Sequence, residues 1–243
     1  SAKENDRVLI YFAGHGETMD LPGGGEMGYL IPVDGNTEDL YFSSIGMAEL
    51  KTLSLMSKAK HILYLVDACY GGLAVVGTRG LMPNNTNNYI EKISKNNARQ
   101  IITAGGKGEK VIEKSEWGHS AFTLNIKRGL KNGNADINSD GFITGNELGM
   151  FLEEKVSIDS DNFQTPHYGR MTSEEGEFVF ITPGNNIGTN QSNNASTDNS
   201  SEHLLLQQLT QELKRTSELN QILLGQFKDL DNKPDDIENS NDN

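Results

Sequence analysis

Cysteine is almost absent: Cys69 is the only one in 243 residues. A single thiol cannot close an intramolecular disulfide, which suits a reducing compartment. No apolar run is long enough to span a bilayer. No signal peptide is visible, although Ser1 is not an initiator methionine. Basic charge is also scarce, with 21 Lys and Arg against 34 Asp and Glu and a net charge of -13. That balance argues against nucleic-acid or anionic-membrane partners. Hydrophobic residues make up 35%, little enough to expect part of the chain to remain unfolded.

Two short stretches organise what is there. Tyr11-Phe12-Ala13-Gly14-His15-Gly16-Glu17 and Leu65-Val66-Asp67-Ala68-Cys69-Tyr70-Gly71-Gly72 each follow an apolar run, Arg7 to Ala13 and His61 to Ala68. These runs are too short, and too rich in Val, Ile and aromatics, to be helices. Between them Leu50, Leu53 and Met56 recur at helical spacing, predicting a helix from Met47 to Met56. A strand–helix–strand unit makes the two strands parallel neighbours. His15 and Cys69 then emerge from the carboxyl edge of one sheet, where open α/β sheets place their sites. A sulfur and an imidazole there form a nucleophile and its base. The amides of Gly16 and Cys69 are the expected donors to a developing oxyanion.

The order His then Cys, about fifty residues apart, with an Ala-Cys-X-Gly core, resembles the caspase signature. Phe12-Ala13-Gly14-His15-Gly16 followed by Gly28-Tyr29-Leu30-Ile31-Pro32-Val33-Asp34 is similar to the paracaspase, metacaspase and bacterial caspase-like branch. The resemblance runs to about Thr182. It implies an α/β fold, a mostly parallel sheet with flanking helices. It also implies two strands and a helix before the histidine strand. This sequence lacks them, through processing or truncation, or because another chain supplies them. The implied activity is that of a cysteine endopeptidase acting on protein or peptide substrates, in a cytoplasmic and bacterial setting. His15 and Cys69 are the catalytic pair, and the chemistry needs no cofactor. Caspases proper carry glutamine where this chain has Asp67. In the branch resembled, that aspartate lines the pocket for the residue before the cut bond, which implies arginine, then lysine, there. Glu109 and Glu113, on the following loop, are further substrate-binding candidates.

Other segments extend the expected organisation. The polar stretch from Gly77 to Asn97 reads as a long loop, at the position of the linker cut during activation in relatives, with Arg79, Lys92, Lys95 and Arg99 as basic cleavage points. The segment from Asp136 to Glu147 fits the twelve-residue calcium-loop pattern. Asp136, Asn138 and Asp140 supply side-chain oxygens, Phe142 a carbonyl and Glu147 two more oxygens. Calcium is the expected ion; the competing reading is a degenerate loop that only caps the helix from Gly145 to Val156. Residues 1–182 form the expected catalytic domain. Residues 183–201 are a disordered Asn/Ser/Thr linker. Residues 202–230 form an amphipathic helix with an a/d stripe from Leu206 to Leu230, suited to homo- or hetero-association. Residues 231–243 are a disordered tail. The alternative function is a calcium-responsive interaction module on a catalytically silent or non-hydrolytic caspase fold.

Overall fold

The computed structural model describes residues 2–69 and 86–183, with Cys69, Thr86 and Asn87 described by backbone alone. The expected linker beyond 183, the helix 202–230, the tail, and Arg79 within the post-cysteine loop lie outside the described residues. The elements run β1 (Arg7–Ala13), β2 (His15–Asp20), β3 (Glu26–Ile31), α1 (Leu40–Ser43), β4 (Ile45–Gly46), α2 (Met47–Met56) and β5 (His61–Cys69). They continue α3 (Thr86–Lys95), β6 (Ala98–Gly105), β7 (Glu113–Lys114), β8 (His119–Ser120), α4 (Ala121–Lys131), β9 (Phe142–Thr144), α5 (Gly145–Asp159), β10 (His167–Arg170) and β11 (Val179–Ile181).

The central sheet has the order β1-β5-β6-β10. β1, β5 and β6 are parallel, as a helical crossover between strands requires, and β10 closes the far edge antiparallel to β6. Among the described residues, β1 has no strand on its outer side. β5 is buried on both faces, which is why it reads as a continuous apolar run. Leu63 and Leu65 face α4 and α5 with Phe122, Ile126, Leu148 and Leu152. Ile62, Tyr64 and Val66 face the other layer with Leu30, Met47 and Leu50. Complete burial of each such aliphatic side chain stabilises the sheet by roughly 1.5–3 kcal/mol.

Several elements differ from expectation for local reasons. The segment Glu17 to Glu26, whose Pro22 and three consecutive glycines signal a loop, is mostly hairpin: β2 and β3 pair antiparallel and only 21–25 turn. Gly24 and Gly25 both take φ of 88°, a left-handed conformation that three consecutive glycines make accessible. The polar stretch after the cysteine contains α3 from Thr86, whose Ile90 and Ile93 are buried against Val179. Arg99 is not a cleavage point. It is buried in β6, and its guanidinium donates to the carbonyls of Ser54 (2.8 Å), Lys60 (2.9 Å), Ala98 (2.9 Å) and Ala59 (2.8 Å). It thereby satisfies oxygens at the end of α2, a helix with no basic residue in its own last turn. The last strand, β11, pairs with β9 in a separate two-stranded sheet.

His61 opens β5 and is fully buried. Its Nε2 lies 3.0 Å from the Asn96 carbonyl, so that nitrogen carries the proton and Nδ1 has no partner. Burial, reinforced by the Arg7 charge, lowers its pKa to about 3. A depressed histidine contributes stability above the unfolded value of about 6.5 that is lost as pH falls toward 3. We expect the His61 imidazole resonances to stay constant between pH 7 and 4 in an NMR titration. Titration above pH 5 would show that the ring is not sequestered.

Candidate active site

The carboxyl ends of β1 and β5 lie side by side. Ala13 pairs with Asp67, and the Gly14 N–H donates to the Asp67 carbonyl at 3.3 Å. His15 follows Ala13 by two residues and Cys69 follows Asp67 by two, so both leave the sheet at the same edge. β5 carries a bulge just before its end: Val66 opposes Thr103, but Cys69 opposes Gly105. Three steps on one strand therefore match two on the other, a device that re-aims side chains beside functional sites.

A cleft of about 790 Å³ opens at this edge. It is lined by Gly14, His15, Gly16 and Asp67 from the strand ends and by Glu109, Lys110, Val111 and Glu113 from the segment after β6. Neither His119 nor His167 lines it. The first is 2.8 Å from Lys127 Nζ, and the second opens the edge strand β10. A side chain at Gly14 would meet the Phe12 ring at 3.0 Å, so glycine keeps that wall close to the backbone. The Leu21 N–H donates to the Gly25 carbonyl, which fixes the parity of the β2–β3 ladder. Residues 15, 17 and 19 occupy hydrogen-bonded positions, and Gly16, opposite Leu30, does not. The Gly16 amide therefore lies on the side away from β3. Lys107 Nζ bonds Glu26 and, at 3.4 Å, Asp20, so the loop after β6 is tied to the hairpin across the cleft.

Asp67 is 5% exposed. Its Oδ2 accepts from Ser120 Oγ and Thr123 Oγ1, each at 2.5 Å, and from the Tyr11 hydroxyl at 3.4 Å. The Tyr11 hydroxyl also lies 2.6 Å from Thr123 Oγ1. The other Asp67 oxygen, Oδ1, is buried without a partner among the described residues. Burial raises the Asp67 pKa, the hydroxyl bonds partly offset this, and the Glu113 charge adds to the rise. The same burial and the Asp67 charge push the Tyr11 hydroxyl up. The sequence reading missed this cradle of Tyr11, Ser120 and Thr123. Its one visible signal was Ser120 preceding a helical run, where it caps α4 by accepting from the Thr123 N–H at 3.0 Å.

The two glutamates fare differently. Glu109 Oε2 accepts from the backbone amides of Gly106 and Thr165, both at 2.9 Å, so it braces the loop. From that position Glu109 still lines the cleft. Glu113 is exposed on β7 and lines the cleft, free to add negative potential.

The calcium-type loop lies apart from the cleft, between α4 and α5. Asp136 Oδ1 accepts from the Asp140 amide (3.0 Å) and Oδ2 from the Gly141 amide (2.9 Å). Asn138 Oδ1 accepts from Asp140 N–H and Asp140 Oδ1 from Phe142 N–H, at 2.9 and 2.8 Å. Glu147 is held in a capping box at the start of α5: its Oε2 accepts from the Thr144 amide and hydroxyl. Among the described residues, no three His, Cys, Asp or Glu side chains are gathered at metal-holding distances.

The caspase-domain family model matches residues 1–225. The chain belongs to the caspase-domain family. That family is one of cysteine peptidases, and its substrates are proteins or peptides. A search of curated proteins finds no match. For the caspase domain, the mainly parallel sheet and flanking helices are as the sequence predicted. No helix among the described residues is long and apolar enough to cross a membrane.

Proposed function

We propose that this caspase domain is an endopeptidase of the paracaspase–metacaspase branch that cuts after arginine, and less readily after lysine, through a Cys69–His15 dyad. The observation that carries the specificity is the Asp67 carboxylate. It lines the histidine's cleft with one oxygen anchored by hydroxyls and the other buried and, among the described residues, unpaired. An unpaired buried carboxylate oxygen is costly unless a donor reaches it. An entering guanidinium supplies two donors and a compensating charge.

In the chemistry proposed, the Cys69 thiolate attacks the carbonyl carbon of the residue whose side chain fills the pocket. The amides of Gly16 and Cys69 hold the oxyanion, and the parity of β2 leaves the Gly16 amide free for that task. His15 gives its proton to the departing amine as the C–N bond breaks, leaving a thioester. Water then attacks the thioester, with His15 taking its proton, and the acid product and thiol are released. No metal takes part in these steps. The setting proposed is a bacterial cytoplasm, with the stripe in 202–230 making a contact to a second copy or another protein.

A peptide library varied at the position before the cut bond tests this reading. The expected result is cleavage after arginine, weaker cleavage after lysine, and none after aspartate. Preferred cleavage after aspartate or uncharged residues would overturn both the pocket and the branch.

A further inference from the structure

We propose that the loop from Asp136 to Phe142, closed by Glu147, is a calcium site that fastens the β9–β11 end of the domain. It is independent of the peptidase reading, since none of its residues lines the cleft. The twelve-residue spacing places oxygen donors alone at the ligand positions, which favours a hard cation. Two structural observations point to a ligand. The first is Glu147: it is 2% exposed, its Oε1 has no partner among the described residues, and its carboxylate lies within electrostatic reach of Asp140 and Asp136. The second is the Phe142 carbonyl. Thr182 N–H donates to the Gly141 carbonyl and Gly145 N–H to the Phe178 carbonyl. That parity makes Phe142 a non-hydrogen-bonded position opposite Ile181, so its carbonyl faces away from β11 toward the loop.

The loop's turn at Gly141, φ 87°, is the one the pattern requires. The chain leaving the domain is fixed to the same loop, because Thr182 Oγ1 donates to Asp136 Oδ2 at 3.0 Å. Glu147 is the ligand that must move. Its Oε2 rests on the Thr144 cap, so binding exchanges that capping contact for two bonds to the cation. Calcium tolerates the irregular geometry of these six protein oxygens, whereas magnesium demands a tighter octahedron.

Isothermal titration of the full chain, stripped with chelator, provides the test. We expect one calcium per chain with a dissociation constant of roughly 10⁻⁵–10⁻³ M, and magnesium at least about tenfold weaker. Glu147→Gln keeps an oxygen to accept from the Thr144 amide but removes the bidentate charge; it should weaken calcium at least about tenfold. Asp140→Asn provides the same comparison from the other side of the loop. Thr144→Ala removes the hydroxyl that holds Glu147 on the cap, so it should lower the melting temperature without calcium while preserving calcium affinity. Absence of heat at millimolar calcium in the folded wild type, or wild-type affinity in Glu147→Gln, overturns the site. A dead peptidase that still binds calcium leaves it standing.

Discussion

Replacing Cys69 with alanine is expected to abolish peptide hydrolysis, lowering kcat by on the order of 10⁴–10⁶. His15→Ala should approach the same floor, and the double variant should be no worse than Cys69→Ala. Groups that act as one unit are not additive: without the sulfur, the base has nothing to activate. The placement behind this expectation is backbone geometry. Ala13 and Asp67 pair on adjacent parallel strands, and the two residues of interest lie two positions beyond them, His15 opening β2 and Cys69 ending β5. Neither change should unfold the domain, because the described core of β5, Ile62 to Ala68, is untouched by either. Steady-state turnover of an arginyl peptide, with circular dichroism as a folding control, reads the outcome. Wild-type turnover in Cys69→Ala would remove the dyad.

What could be read in advance follows from how many residues share each signal. β1, α2 and β5 were legible because each carries a full period of its pattern: seven apolar-rich residues, a ten-residue helix, and a strand buried on both faces. The carboxyl-edge position of His15 and Cys69 followed from topology alone. The hairpin β2–β3 was hidden because Gly16, Glu17 and Asp20 are poor strand formers; their partner β3, with Tyr29 and Leu30 buried, recruits them. β10 was hidden by its length of four residues. Arg99 misled because a basic residue in a polar stretch reads as exposed. Only the unsatisfied carbonyls at the end of α2, more than forty positions away, explain its burial. The Asp67 cradle was invisible for the same reason: Tyr11, Ser120 and Thr123 meet it only after the sheet and α4 pack together.

Asp67→Asn should leave the fold intact while lowering kcat/KM for arginyl peptides by on the order of 10²–10³, the effect of removing one partner of a buried charge pair worth ~2–5 kcal/mol. Asparagine retains an acceptor for Ser120 and Thr123, so the cradle survives, but its second atom is an amide nitrogen that repels a guanidinium. The pH dependence separates this from a packing defect. Burial raises the Asp67 pKa, so the free domain loses stability as pH rises through that value, having held it fully below the unfolded carboxylate range. The variant should escape that loss and be at least as stable as wild type at alkaline pH. Arginyl substrate reverses the preference, because only the ionised carboxylate pairs with it. The wild-type kcat/KM should therefore rise with pH across the Asp67 titration, and that limb should vanish in Asp67→Asn. Glu113→Gln, at the exposed rim, should change the same constant by less than about tenfold and make it less salt-dependent. An unchanged arginyl kcat/KM in Asp67→Asn, with the pH limb retained, would place the specificity elsewhere in the cleft. Asp67 would then be a buried strut, holding α4 against β1 and β5 through Ser120, Thr123 and Tyr11.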